Sequence, residues 1–327
     1  MVWITFIISA AVLVFAASKL AAYSDVISVR TRLGGMFVGT LLLAGATSLP
    51  ELLSAYNGLS IGEPNLAAGS LFGSNMFNMF MLAILDLISR QARILRRVAM
   101  NHALTASLAI LLITIAVFSL IADIHSGIGW VGFDSILIMA VYLVGIRLIQ
   151  GQGSSHAAPT LPEVQGIPSL TRALIGFLLA AGVLIVVTPY LVGSANQIAT
   201  LTGLSAGFVG VTLLAFTTSL PELVATVSAV RLGAFDLAVG NLFGSNLFNM
   251  FALGLTDMLY TGGYFLGMVD PQFALVGILG LILTVLGLIG NIARVERRLF
   301  FIEVDALVIA VVYLLGMWFL YARGIGV

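Results

Sequence analysis

The run FVGTLLLAGATSLPEL, Phe37 to Leu52, recurs as FVGVTLLAFTTSLPEL, Phe208 to Leu223, and GSLFGSNMFNMF from Gly69 recurs as GNLFGSNLFNMF from Gly240. The offset is constant: 222 − 51 = 171 for the two glutamates and 245 − 74 = 171 for the two serines. The same shift carries Asp134 onto Asp305, Tyr142 onto Tyr313 and Gly145 onto Gly316. Self-similarity at a fixed offset over such lengths marks a duplicated structural unit, and it must be read before any single element.

Around these runs the chain is strongly apolar. Of 327 residues, 60% are hydrophobic and 9% charged, and the mean hydropathy is +1.14. A soluble domain carries about 25% charged residues, so a water-soluble globular protein is excluded. Fourteen basic residues balance fourteen acidic ones, which gives no reason to expect nucleic acid as a partner. There is no cysteine, which removes disulfides, thiolate metal sites and cysteine catalysis together. The N-terminal stretch from Met1 to about Tyr23 has no basic flank in front and no small-residue cleavage site, so it reads as a retained first span and not as a secretory signal.

Spans of about 20 apolar residues follow near 33–57, 66–88, 101–122, 131–149, 170–192, 204–230, 236–258, 272–291 and 303–321. The expected fold is an all-α membrane protein with ten transmembrane helices. Strand-length alternation is absent, which disfavours a β-barrel. Short cytoplasmic loops collect Lys and Arg. Here Lys19, Arg30 and Arg32, then Arg90, Arg93, Arg96 and Arg97, then Arg147 and Arg172, then Arg231, then Arg294, Arg297 and Arg298 all fall by odd-numbered loops. The even-numbered loops carry Glu63, Asp123, Asp257 or Asp270 and no basic residue. Both termini are therefore expected on the non-cytoplasmic side of a plasma or inner membrane.

Residues 1–150 form the first five-helix repeat, 151–169 a Gly-, Ser- and Pro-rich cytoplasmic linker, and 170–327 the second repeat. Five spans is an odd number, so the second copy enters the membrane in the opposite direction. Inverted-topology repeats are a recurring plan of secondary transporters, with the site near the midplane between them.

Glu51 and Glu222 lie inside apolar segments at matched positions, each after a Thr-Ser-Leu-Pro run. A carboxylate at membrane depth costs at least about 2.5 to 3.5 kcal/mol and marks an ion or proton path. The prolines, Pro50 and Pro221, lack an N–H and obstruct the preceding helical turn, which is expected to free carbonyls near Ala44–Thr47 and Ala215–Thr218. The next helix of each half presents Ser74 and Asn78, or Ser245 and Asn249, and residues at i and i+4 share a face. Carboxylate, hydroxyl, amide and carbonyl oxygens without His, Cys or Met select hard cations, Ca²⁺ or Na⁺, over zinc, copper or iron. Two glutamates neutralise one Ca²⁺, and Na⁺ at the adjoining positions would compete for the same carboxylates.

The paired TSLPE and GSN runs in inverted halves resemble the calcium/cation antiporter superfamily, and in particular its sodium/calcium exchanger branch, along nearly the whole chain. The resemblance implies a ten-helix exchanger, not an enzyme, with no cofactor and with Ca²⁺ and Na⁺ as the transported ions. It implies that Glu51 and Glu222, with the carbonyls of Thr47 and Thr218, ligate Ca²⁺. Sodium sites would add Ser48, Ser219, Ser74, Asn78, Ser245 and Asn249, with Ala44 and Ala215 acting through their carbonyls.

Departures from the family pattern are Ala46 and Thr217 in place of the glycine before the Thr-Ser pair, and Ser70 where the second copy keeps Asn241. Asn78 and Asn249 are both amides, whereas potassium-dependent members carry Asp at the first of these positions and some sodium-coupled ones at the second. Potassium coupling is disfavoured on this reading, and a proton-coupled Ca²⁺ exchanger is the alternative, since a buried glutamate can carry H⁺.

Other polar residues read as structural. Asp134 and Asp305 start the fifth and tenth spans, and Asp86 and Asp257 end the third and eighth, as expected of helix-end caps. His102, His125 and His156 fall at span ends or in loops. Gly69, Gly73, Gly240 and Gly244 are expected to allow close helix approach. An intramembrane serine hydrolase is disfavoured because the expected membrane interior holds no His or Lys to act as base except Lys19 near a span end, and inverted halves argue against an ion channel.

Overall fold

The computed structural model describes residues 1–31, 44–88, 102–153, 168–231, 233–293, 298–299 and 302–325. The start of the span expected at 33–57, Arg32, the basic run Arg90–Arg97, most of the 151–169 linker with His156, and Arg294 and Arg297 lie outside these residues.

Helices dominate: α1 Val2–Thr31, α2 Leu49–Ser60, α3 Pro64–Ile88, α4 Ala103–Ala122, α5 Phe133–Gly153 and α6 Leu170–Thr202. There follow α7 Ala206–Val209, a π-helical turn Gly210–Leu214, α8 Ala215–Thr218, α9 Leu220–Arg231, α10 Phe235–Leu259, α11 Phe265–Met268, α12 Phe273–Ala293 and α13 Val304–Ala322. Among the described residues, six helices are long and apolar enough to cross a membrane, and the bent pair Ala206–Thr218 with Leu220–Arg231 adds a seventh. Helices α5 and α10 stand outside these six. Three buried asparagines, Asn241, Asn246 and Asn249, lower the apolarity of α10.

The duplication extends to element boundaries. Both ends of α3 and α10 differ by 171 (235 − 64 and 259 − 88), as do those of α2 and α9 (220 − 49 and 231 − 60). The nearly all-helical expectation omits two short antiparallel hairpins, Gly127–Ile128 with Val131–Gly132 and Arg298–Leu299 with Ile302–Glu303, which obey the same offset. Strands of two residues carry no readable alternation, so composition could not reveal them.

The molecule is polar in the middle and apolar outside, as lipid requires. Long apolar side chains on α1 (Ile4, Ile7, Phe15), α6 (Leu178, Leu179, Val186) and α13 (Leu314, Trp318) are exposed. Helix α1 packs along α6 through Leu13, Leu20, Leu184 and Leu191. Helices α3 and α10 cross at the centre, flanked by α4 and α12. Bare backbone surfaces permit this closeness. A Cβ on Gly69 would lie 2.6 Å from the Gly207 carbonyl oxygen, and one on Gly73 2.5 Å from that of Val211. Helix α3 thus presses directly on the π-helical turn, while Gly240 of α10 faces the His102 ring.

Candidate cation site

Each half breaks a helix just before its glutamate. Ser48 (φ −89, ψ 8) interrupts the helix at 44–47 before α2 resumes with Pro50 in its first turn. Ser219 (φ −85, ψ 4) does the same between α8 and α9, and the second copy bends by 43° there. Proline has no N–H to donate four residues back, which accounts for a break at this point.

The carbonyls of Ala44 and Ala215 nevertheless keep their donors. The Ser48 N–H (2.9 Å) and the Thr47 hydroxyl (3.2 Å) donate to Ala44, and the Ser219 N–H (3.0 Å) and Thr218 hydroxyl (3.3 Å) to Ala215. Thr217, at the family's glycine position, donates its hydroxyl to the Leu213 carbonyl at 2.8 Å inside the π-helical turn.

The break turns both glutamates inward, where Glu51 is 1% and Glu222 0% exposed. Their hydroxyl partners are crossed between the copies. Ser219 donates to Glu51 Oε1 at 3.0 Å and Ser48 donates to Glu222 Oε1 at 2.9 Å. Within each copy, Ser74 reaches Glu51 Oε1 and Ser245 reaches Glu222 Oε1, both at 3.5 Å. Ser74 also lies 3.5 Å from the Thr218 hydroxyl. The second oxygen of each carboxylate, Oε2, is buried without a hydrogen-bond partner.

A second crossed set lies on α3 and α10. Asn78 donates its amide to Asn246 Oδ1 at 2.9 Å, and Asn249 donates to Asn75 Oδ1 at 3.0 Å. Asn246 donates in turn to the Asn75 carbonyl at 3.2 Å. With their nitrogens so held, Asn78 Oδ1 and Asn249 Oδ1 are buried and have no partner. Asn75 and Asn246 were not among the expected site residues. Their signal was the duplicated Asn within GSN, three residues before Asn78 and Asn249 and so on a shared helix face.

All twelve expected site residues (Glu51, Glu222, Thr47, Thr218, Ser48, Ser219, Ser74, Asn78, Ser245, Asn249, Ala44 and Ala215) are buried on the broken helices or on α3 and α10. Their copies differ at one neighbour. Asn241 donates to the Glu222 carbonyl (3.4 Å) and the Thr226 hydroxyl (3.1 Å), whereas Ser70 bonds only to Ala67 of its own helix, at 2.9 Å.

Outside this centre, the caps expected of the aspartates are partly seen. Asp134 Oδ1 accepts from its neighbour's N–H at 2.7 Å, and Asp305 Oδ1 does so at 3.0 Å. Asp257 accepts from Gly132 N (2.8 Å) and Phe265 N (2.5 Å), and so ties two loops to the end of α10. His102 differs from the sequence reading in being buried. It stands at the N-cap of α4 with Nε2 3.1 Å from Asp236 Oδ1.

The centre therefore offers oxygen ligands only. Among the described residues, no group of three or more His, Cys, Asp or Glu could hold a metal ion. Two carboxylates with neutral oxygens suit a hard cation that enters and leaves, since unpaired buried oxygens are costly unless something periodically meets them.

The family model for sodium/calcium exchanger proteins matches residues 1–149 and 172–323. The chain belongs to the sodium/calcium exchanger family. The exchanger is 27% identical over 264 residues to the putative antiporter CaxA of Alkalimonas amylolytica, a match covering 76% of this chain and 78% of that protein. Its fold matches the sodium-calcium exchanger NCX_Mj with a TM-score of 0.64, at 19% identity over 97% of this chain and 99% of that one. It also matches the H⁺/Ca²⁺ exchanger CAX with a TM-score of 0.69, at 15% identity over 98% and 88% of the two chains. Membership makes this a multi-pass cation exchanger and places the buried oxygens in a transport protein.

Proposed function

We propose that this exchanger moves Na⁺ against Ca²⁺ by alternating access at one central site built on Glu51 and Glu222. The observation that carries the reading is that four oxygens at matched positions of the two copies, Glu51 Oε2, Glu222 Oε2, Asn78 Oδ1 and Asn249 Oδ1, are buried without a partner. Ca²⁺ takes six to eight oxygens. In this reading the two carboxylates and the carbonyls of Thr47 and Thr218 supply its protein ligands.

Na⁺ would occupy positions that add Ser48, Ser219, Ser74, Ser245, Asn78, Asn249, Ala44 and Ala215. Binding at the two alanine carbonyls requires the Thr47 and Thr218 hydroxyls to release them, so sodium occupancy would reshape both helix breaks. Because both cargoes need the same carboxylates, one must leave before the other binds.

The architecture in this reading is ten transmembrane helices in two inverted five-helix repeats, 1–150 and 170–327, joined by a cytoplasmic segment at 151–169. The basic residues beside odd-numbered loops support non-cytoplasmic termini. A second reading, Ca²⁺/H⁺ exchange, is favoured by the fold match to CAX and by carboxylates sheltered enough to carry a proton. The hydroxyls and amides around the carboxylates favour sodium. Uptake of ⁴⁵Ca²⁺ into proteoliposomes under imposed Na⁺, K⁺ and H⁺ gradients in turn separates the two. Accumulation driven by Na⁺ at fixed pH is expected, and accumulation driven only by a pH jump reverses the assignment.

A further inference from the structure

The two halves differ in how each glutamate-bearing arm is tied to the helix beside it. In the second half Asn241 of α10 lies against α9, its side-chain amide donating to the Glu222 carbonyl at 3.4 Å and to the Thr226 hydroxyl at 3.1 Å. A carbonyl oxygen only accepts, so the amide nitrogen must be the atom that faces α9, and its two hydrogens serve both bonds. Asn241 is 1% and Thr226 0% exposed, which shields these bonds from competing water. In the first half the offset of 171 puts Ser70 and Ala55 at the same positions. Ser70 turns back to the Ala67 carbonyl of its own helix at 2.9 Å, and Ala55 has no hydroxyl to offer. Helices α2 and α3 meet instead through small surfaces, for a Cβ on Gly58 would lie 3.2 Å from the Ala67 Cβ. Hydrogen bonds from a side chain to the next helix fix the register of the pair, whereas smooth packed faces permit the small sliding of shear.

The membrane frame gives this difference a direction. Helix α2 leads from Glu51 toward the loop of Glu63, and α9 leads from Glu222 to Arg231. By the distribution of basic residues, α2 is the arm on the non-cytoplasmic side and α9 the arm on the cytoplasmic side. Helix α10 is itself held at that end, where Asp236 Oδ1 lies 3.1 Å from Nε2 of His102 at the N-cap of α4.

Resting on the alternating-access reading above, we infer that Asn241 and Thr226 form a clamp that positions Glu222 and holds the cytoplasmic-side arm against α10, while the opposite arm has no such clamp and opens at lower cost. Neither residue is a cation ligand; they act through the arm that carries Glu222. Opening toward the non-cytoplasmic side needs only a slide of α2 along α3, whereas opening toward the cytoplasm requires both Asn241 bonds to be given up. The clamp also carries a cost that a purely structural tie would avoid. With its nitrogen turned to α9, Asn241 Oδ1 is buried without a partner, and such an orphan acceptor offsets part of what the two bonds contribute. The tie is thereby weak enough to be released in each transport cycle.

The sequence contains no cysteine, so a single introduced thiol reports one position. Ser54 and Ala225 are equivalent (225 − 54 = 171), three residues past each glutamate and on the glutamate's side of the arm. In Ser54→Cys and Ala225→Cys proteins reconstituted in vesicles of known sidedness, the rate of reaction with a membrane-impermeant thiol reagent measures how often each arm opens. Adding Asn241→Ser should speed labelling of Ala225→Cys from the cytoplasmic side about tenfold, equivalent to about 1.4 kcal/mol and so on the scale of one to two net hydrogen bonds. Labelling of Ser54→Cys from the opposite side should not rise. Thr226→Val removes only the hydroxyl and should act in the same direction, which keeps the inference testable if Asn241→Ser does not fold; Thr226→Ser keeps the hydroxyl and should retain the unmodified rate. An equal rise at both positions would show general loosening, and no rise at Ala225→Cys in a folded variant would show that the bonds clamp nothing; either result overturns the inference. If the two thiols react from the same side of the membrane, the alternating-access reading itself fails, an outcome separate from the loss of the clamp.

Discussion

Replacing Glu222 by Gln isolates the charge of one carboxylate from its shape. The Ser48 hydroxyl, 2.9 Å from Glu222 Oε1, can donate equally to an amide oxygen, and so can Ser245 at 3.5 Å. The change falls on Oε2, which has no partner in the protein and becomes an NH₂ directed at the cation position. Half the divalent counter-charge is lost and a donor faces a metal ion. Breaking a buried charge pair by neutralising one partner costs about 3 to 5 kcal/mol. At 1.36 kcal/mol per decade, Ca²⁺ affinity should fall by roughly two to nearly four orders of magnitude. Equilibrium ⁴⁵Ca²⁺ binding to the purified protein measures this directly, with size-exclusion behaviour in detergent as the check on folding. Glu51→Gln should lose a similar amount, because its shell is the mirror of the other, with Ser219 at 3.0 Å and Ser74 at 3.5 Å. Affinity within tenfold of wild type in either variant would refute the assignment of these carboxylates as the calcium ligands.

Ser74→Ala and Asn78→Ala should weaken the Na⁺ dependence of ⁴⁵Ca²⁺ flux more than Ca²⁺ binding itself, and equal losses in both would count against separate sodium positions. Gly73→Val would drive a side chain into the Val211 backbone, where a Cβ alone comes within 2.5 Å of the carbonyl oxygen. Overpacking costs about 1 to 3 kcal/mol or more, so the variant should show a clearly lowered melting temperature, and an unchanged one would mean that α3 does not press on the π-helical turn. Asp257→Asn leaves one of two loop N–H groups, Gly132 or Phe265, facing a donor. It should cost about 1 to 3 kcal/mol of thermal stability while the dependence of transport on Na⁺ concentration stays as in wild type. A shifted Na⁺ dependence would give this aspartate a role in transport.

The duplicated, helical membrane character was legible in the sequence because lipid imposes coarse rules that survive without coordinates. Apolar runs of span length, and a constant offset linking Glu51 to Glu222, follow from composition and order alone. The carboxylates stood out because a buried charge is costly and so rarely incidental. What could not be read depends on contacts between copies. Asn75 was not among the expected site residues, and only the packing of α3 against α10 reveals that its Oδ1 accepts from the Asn249 amide. His102 likewise is met by partners far along the chain, Gly240 against its ring and Asp236 at Nε2, 134 residues away. Proline at positions 50 and 221 correctly announced the helix breaks, yet the Ala44 and Ala215 carbonyls kept donors because the adjoining threonine hydroxyls turned back onto them. That local competition between side chain and backbone is invisible to a rule about proline alone.

The crossed bonds also bear on why both copies keep the full motif. Neither half completes its own site: Glu51 needs the hydroxyl of Ser219, Glu222 needs that of Ser48, and each amide oxygen on one copy is aimed by an asparagine on the other. A rigid shift of one copy against the other would stretch both hydroxyl bonds and both amide bonds together, while each glutamate would keep the serine of its own copy. If, as proposed, a cation bridges Glu51 and Glu222, it opposes that separation, and its departure relieves it. Cargo binding and the relative position of the halves are therefore thermodynamically linked through these four cross-copy contacts. On this reasoning Ser48→Ala and Ser219→Ala should act alike, loosening the contact between the two copies and raising Ca²⁺ exchange in the absence of a counter-ion. A double variant with flux no greater than either single one would show that the two bonds open in one step.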